Sequence, residues 1–152
     1  MPLLEEFALN EGLTERPRFP ILTLPELMHQ NVEVEYLIEG ILVRGQLCVL
    51  GGPKKCLKTS FLVDLAVSLA TGMPMLRKFN VLESCSVLLM SGESGLATLK
   101  DTFSRVCTSI GIDPFAVHNL KISDAVPHVT CEEDMRKLAD LLDEHQPDVV
   151  LY

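Results

Sequence analysis

The apolar residues of the chain follow two periods, one helical and one strand-like. Apolar positions three and four residues apart predict a helix over Lys58–Thr71 that ends at Gly72, and a second helix over Leu96–Ile110. A third helix is expected to follow a capping box that opens at Thr130, and to run through about residue 144. The apolar stripe of the first helix consists of Phe61, Leu62, Leu65, Ala66 and Leu69.

Short apolar runs lie between these helices and predict strands at 46–50, 86–91, Leu120–Ser123 and 148–152. Runs that are apolar throughout their middle fit strands covered on both faces, as in a parallel sheet. Strands that alternate with helices predict βαβ units. The pattern therefore indicates an α/β fold with a mainly parallel sheet flanked by helices.

The chain upstream of these units has a different pattern. Thr23 opens a capping box before a short helix that we expect to run through Met28. Residues 32–38 alternate apolar and acidic side chains, which predicts a half-buried strand or an extended segment. We therefore expect an N-terminal lead with a short helix over 1–30 and the main domain over 31–152.

Composition and charge narrow the class of protein. A chain of 152 residues with 47% hydrophobic and 22% charged residues is long enough to bury a core, and its balance is globular. A net charge of −8 argues against an extensive nucleic-acid footprint on this chain. The sequence shows no export signal and no membrane span, so we expect a cytoplasmic protein.

A phosphate-loop motif follows the first apolar strand. Residues 52–59 fit the pattern G-x-x-x-x-G-K-S/T, except that Leu57 stands where the second glycine belongs. Such a loop turns its main-chain N–H groups toward a polyphosphate at the positive end of a helix. Lys58 is expected to reach the β- and γ-phosphates of ATP, and the Thr59 hydroxyl to ligate Mg²⁺. The predicted nucleotide-binding residues are Gly52, Pro53, Lys54, Lys55, Cys56, Leu57, Lys58, Thr59 and Ser60.

Leu57 is the departure from this motif. A side chain at that position risks a clash with phosphate or a strained φ that costs about 1–3 kcal/mol. Two alternatives follow: a strand–turn–helix with coincidental lysines, or a degenerate loop that no longer binds.

Glu93 is the candidate catalytic carboxylate. It follows the strand predicted at 86–91, and ligands of parallel α/β sheets bind at the carboxyl ends of the strands. A carboxylate there can orient the water that attacks the γ-phosphate. An acid just before a helix is also favoured by the helix dipole alone, so the residues themselves leave both roles open.

The motifs together resemble the RecA/DnaB-type P-loop ATPases, and within them the RepA-like hexameric helicase branch of bacterial AAA-family ATPases. The similarity rests on residues 36–45, the phosphate loop, residues 65–72 and residues 87–94, and it extends over roughly residues 20–152. It implies a RecA-like core, ATP with Mg²⁺, a homo-oligomeric ring and nucleic-acid remodelling. It also implies that Glu93 is the catalytic glutamate and that Lys58 and Thr59 contact phosphate and Mg²⁺.

The resemblance also implies an aspartate directly after Tyr152, because residues 149–152 match the strand that carries the Walker B acid. We therefore expect the front part of a longer ATPase, with a core incomplete at the C-terminus, that binds ATP with little turnover. Nucleic acid is not expected to bind through this acidic chain alone. The alternatives are a small-molecule kinase and a non-catalytic regulatory or interaction module with a degenerate loop.

Overall fold

A three-stranded parallel sheet and the helices beside it form the centre of the fold, as the sequence predicted. The computed structural model describes residues 21–152, so most of the predicted lead lies outside the described residues. The helices are α1 (Leu24–His29), α2 (Lys58–Thr71), α3 (Leu96–Ile110) and α4 (Glu132–His145), and a 3₁₀ turn spans Pro114–Ala116. The strands are β1 (Tyr36–Ile38), β2 (Leu42–Val43), β3 (Val87–Met90), β4 (Leu120–Ser123) and β5 (Val149–Leu151).

The sheet has the order β4-β3-β5, and both pairs of neighbours are parallel. Val87, the first residue of β3, pairs with Leu120 of β4 on one side and with Val149 of β5 on the other. The central strand β3 is buried at all four positions. The continuous apolar sequence of β3 fits its central position, because a strand that is covered on both faces buries every side chain and does not alternate apolar and polar residues.

Helix α2 joins the two halves of the core. It packs against β3, β4 and α3. Its predicted stripe is narrower than the face it buries, because Val63, Val67 and Ala70 are buried as well as Ala66 and Leu69. One side of α2 packs with the β1–β2 region, and the other packs with α3. Both ends of the prediction are confirmed, and the helix stops at Gly72, which has a φ of 76°.

The predicted strand at 46–50 is wrong. These residues lie outside every described strand, and Leu47 and Val49 are 89% and 82% exposed. Their apolar sequence suits a strand only where neighbouring strands and helices cover it. Within residues 21–152 no strand pairs with this segment.

The capping box predicted at Thr130 is also wrong. Helix α4 begins at Glu132 with Cys131 as its N-cap, and no side chain caps it. Asp134 instead accepts hydrogen bonds from the main-chain N–H of His128, at 2.9 Å, and from its ring. The hydrogen bonds between Asp134 and His128 thus link the first turn of α4 to the turn that precedes it.

The upstream region contains a helix and a hairpin. The capping box at Thr23 is confirmed, with the reciprocal bonds to Glu26 that define it. The strand predicted over 32–38 forms only over β1, which pairs with β2 in a hairpin that the sequence did not predict. A boundary between two compact units falls between Glu33 and Val34. None of the described helices combines the length and the apolar character that a membrane span requires.

Candidate phosphate-binding site

The predicted phosphate loop connects the unpaired segment 46–50 to helix α2. Its residues 51–57 are exposed, and Lys58, Thr59 and Ser60 are half-buried in the first turn of α2. The first hydrogen bond of the helix runs from the N–H of Phe61 to the carbonyl of Leu57, at 2.9 Å. The N–H groups that precede Phe61 in this turn have no partner within the helix, which leaves them available to an anion.

Two residues of the loop have left-handed backbone conformations. Lys55 has a φ of 62°, and Leu57 has a φ of 63° and a ψ of 22°. A left-handed residue next to right-handed ones turns successive N–H groups toward one concave side, which is the geometry of an anion nest. Both residues adopt this conformation although neither is glycine.

The strain expected at Leu57 is present. A non-glycine residue in the left-handed region costs roughly 1–2 kcal/mol. The Leu57 side chain is 74% exposed, so packing does little to offset this cost. The other expected effect, a clash of the Leu57 side chain with phosphate, depends on where the phosphate binds. In the loop itself this side chain lies in solvent.

Lys58 ties the start of the loop to the start of the helix. Its Nζ donates hydrogen bonds to the carbonyls of Gly52, at 3.1 Å, and Pro53, at 2.9 Å. Its third hydrogen faces Sγ of Cys56, at 4.0 Å, so a phosphate oxygen would have to replace one of these three partners. The lysine thus lies over the loop rather than pointing away from it.

Gly52 packs against the side chain of Cys56 in the loop. A Cβ atom on Gly52 would lie 2.7 Å from Sγ of Cys56, which is closer than real contacts allow. Cys56 is a free, exposed cysteine whose Sγ lies 4.0 Å from Nζ of Lys58. Both residues belong to the predicted nucleotide-binding set, and here they shape the loop.

The remaining predicted residues of the loop carry polar groups. Lys54 and Lys55 are exposed, and neither forms an ion pair with a described residue. Thr59 and Ser60 supply hydroxyl groups in the first helical turn. Within residues 21–152 no three His, Cys, Asp or Glu side chains lie close enough to hold a metal ion. The Thr59 hydroxyl is the magnesium ligand that the loop motif predicts.

Glu93 lies where the chain leaves β3 and before α3 begins, at the carboxyl end of the sheet. It is exposed and forms no ion pair with any described residue. The glycine before it has a role that sequence reasoning missed. A Cβ atom on Gly92 would overlap Cγ2 of Val126, so the loop after β4 packs directly on this turn.

Asp148 lies at the opposite end of the sheet, because it precedes β5 and the strands are parallel. Its carboxylate accepts hydrogen bonds from the N–H and the hydroxyl of Ser86, both at 2.8 Å. These bonds, the main-chain one foremost, lower the pKa of Asp148 below its ordinary value. Asp148 therefore aligns the starts of β3 and β5, away from the phosphate loop.

Comparison with known proteins gives one match. A family model described as "AAA domain" matches residues 14–151, a range that includes the loop and all five strands. No curated protein and no solved structure matches the chain.

Proposed function

Because the chain belongs to the AAA domain family, whose members are P-loop ATPases, we propose that residues 52–60 bind the triphosphate of ATP. The observation that carries this proposal is the shape of the loop. Lys55 and Leu57 are left-handed, and the Lys58 ammonium is held over the loop by two carbonyls. Left-handed residues that turn main-chain N–H groups to one side, with a cation beside them, are features of loops that bind polyphosphates.

Different groups of the loop contact different parts of the nucleotide. The N–H groups of the first turn of α2 and of the nest hold the phosphate oxygens. The Lys58 ammonium exchanges one of its three partners for an oxygen of the β- or γ-phosphate, with which its positive charge forms a charge-assisted hydrogen bond. The Thr59 hydroxyl holds Mg²⁺, which supplies neutralisation of charge on the phosphates when it is bound.

Glu93 is the residue proposed to orient the attacking water in hydrolysis. Its place at the carboxyl end of β3 supports this role, because that end of a parallel sheet is where ligands bind. Its carboxylate is free of ion pairs with described residues, so it is available to accept a proton from water.

We further propose that the chain belongs to a RepA-like replication or plasmid ATPase of the cytoplasm. This ATPase assembles into a ring and couples ATP hydrolysis to nucleic-acid remodelling. Its support is the order and spacing of the motifs at residues 36–45, 52–60, 65–72 and 87–94. With a net charge of −8, nucleic acid is not expected to bind through this chain alone. Faster phosphate release on addition of single-stranded DNA is the result that this proposal requires.

Leu57 supports one other function, a regulatory or interaction module that keeps the fold without binding nucleotide. The strained leucine is what a decayed loop would contain, because loss of ligand removes the need for glycine. The two functions differ in a single measurement, the affinity for nucleotide.

The test is a fluorescence titration of the chain with a labelled ATP analogue, with and without Mg²⁺. Loss of a hydrogen bond to a charged group costs about 1.5–3 kcal/mol, so Lys58→Ala should weaken binding about ten- to a hundredfold. Lys137→Ala removes an exposed lysine on α4 and should leave the affinity unchanged. No binding by the native chain would support the regulatory module, and equal binding by Lys58→Ala would refute the role of the loop.

A further inference from the structure

An apolar groove lies between α3, the 3₁₀ turn at Pro114–Ala116 and β4. Its volume is about 650 Å³, which is within the range of about 300–1,000 Å³ that small-molecule sites in proteins span. Among the described residues, those of the phosphate loop and Glu93 are not part of its lining. The groove is therefore separate from the candidate phosphate-binding site.

The floor of the groove belongs to the core, and its rim lies in solvent. Val67 and Leu99 form the floor and are buried. Leu96 and Phe115 form the rim and are exposed, with 88% of Phe115 accessible to solvent. Because an apolar ligand would remove these side chains from water, the walls favour such a ligand. Aliphatic side chains outnumber aromatic ones in the lining by six to two, which favours a flexible acyl chain over a planar ring system.

Two side chains with polar oxygen or nitrogen atoms line the groove, and both belong to α3. Lys100 and Ser104 are four residues apart, so they lie on one face of the helix. The neighbouring residues Asp101 and Arg105 form an ion pair with each other at 3.0 Å. Lys100 forms no ion pair with any described residue, so its charge is available to a ligand.

The charge of the groove is opposite to that of the chain. The chain has 21 acidic and 13 basic residues, yet none of the described acidic residues lines the groove. The rim therefore favours an anion. One ammonium and one hydroxyl group supply enough donors for a single carboxylate, whereas a polyphosphate carries more charge than one ammonium neutralises.

We propose that this groove binds a free monocarboxylate with an apolar acyl chain, such as a fatty acid in solution. The carboxylate accepts hydrogen bonds from Lys100 and Ser104. The acyl chain lies between the Phe115 ring and the side chains that β4 contributes, Leu120 and Ile122. This site goes beyond nucleotide binding and does not depend on it.

Isothermal titration calorimetry with sodium dodecanoate, kept below its micelle concentration, tests the proposal. The native chain should bind dodecanoate at a single site, with a negative heat-capacity change because apolar surface is buried. Dodecyltrimethylammonium has the same tail and the opposite charge. It should bind at least about tenfold more weakly, although the net charge of −8 attracts cations in general. No binding of dodecanoate, or equal binding of the two compounds, overturns the proposal.

Substitutions at the rim identify the groove. Lys100→Glu and Phe115→Asp should each weaken dodecanoate binding about tenfold, and Lys100→Arg should stay within about threefold of the native value. Lys121→Glu changes the net charge as Lys100→Glu does, but it lies outside the lining, on the other face of β4, and should change the affinity by less than about twofold. These side chains are exposed, so each variant should keep a Tm close to that of the native chain. Native affinity in both rim variants, or an equal loss in Lys121→Glu, overturns the proposal.

NMR spectroscopy of the methyl groups locates the ligand. Dodecanoate should shift the signals of Leu120 and Ile122 more than those of Leu47 and Leu82, which are exposed outside the groove. Larger shifts at Leu47 would place the ligand on residues 46–50 and overturn the proposal. Co-sedimentation with phosphatidylcholine vesicles that contain dodecanoate, without binding of free dodecanoate, would indicate a lipid surface as the ligand and overturn it as well.

Discussion

Replacement of Leu57 by glycine should stabilise the protein, although it removes a large apolar side chain. Leu57 has a φ of 63°, and a residue with a Cβ atom pays roughly 1–2 kcal/mol for that conformation. Glycine relieves this cost but gains freedom in the unfolded chain, worth about 0.4–1 kcal/mol in the opposite direction. The leucine is 74% exposed, so little buried area is lost. The net expectation is a gain of about 0.5–1 kcal/mol.

Thermal and urea denaturation measure this gain. For a chain of this size, 1 kcal/mol corresponds to about 2–4 °C in Tm. Leu57→Ala is the matched control, because alanine keeps the Cβ atom and the strain while it removes the rest of the side chain. Its Tm should stay within about 1 °C of the native value.

Nucleotide affinity provides a second readout for the same variant. Because the free loop already has the left-handed residue, glycine stabilises the free and the bound loop alike. The affinity of Leu57→Gly for ATP should therefore stay within about threefold of the native value. The reasoning is refuted if Leu57→Gly is no more stable than Leu57→Ala, because the left-handed strain would then not be the cause.

Two further substitutions test other parts of the structure. Gly92→Ala places a Cβ atom against Cγ2 of Val126 and should destabilise the protein by about 1–3 kcal/mol in urea denaturation. Gly95→Ala meets open space and should be close to neutral, and equal effects of the two substitutions would contradict the close approach. Asp148→Asn should cost about 1 kcal/mol at pH 7, because it weakens the bonds from Ser86. Since these bonds lower the folded-state pKa of Asp148, their contribution is present above the unfolded pKa of about 3.9 and is lost as pH falls through the folded pKa. Urea denaturation at pH 7 and pH 3 should show a difference between the native chain and Asp148→Asn that shrinks at the lower pH, and a constant difference would exclude this explanation.

The helices were predictable because their signals are local. The bounds of α2 and α3 agree with the sequence, since the apolar period is strong and a left-handed glycine, Gly72 or Gly111, ends each helix. The absence of a strand at 46–50 was not predictable, because an apolar run does not reveal whether a neighbouring strand is present to pair with it. The β1–β2 hairpin and the 3₁₀ turn are short, and short elements carry little periodic signal.

The sequence predicts which residues form the candidate site but not their geometry. The motif assigns Lys58 and Thr59 to the site because phosphate loops keep their spacing. The left-handed conformation of Lys55 and the two carbonyls that hold Lys58 depend on backbone dihedral angles, which no side-chain pattern encodes. The contact of Gly92 with Val126 is tertiary, since the two residues lie in different loops that the parallel sheet brings to one edge.

The solvent-exposed run from Gln46 to Leu50 has a cost for the isolated chain. Complete burial of a valine or leucine side chain is worth about 1.5–3 kcal/mol, so covering Leu47 and Val49 would release about 3–6 kcal/mol. Small domains are stable by only about 5–15 kcal/mol. A surface that covers these two side chains only in the folded chain would therefore raise the melting temperature by an amount comparable to that of a tightly bound ligand.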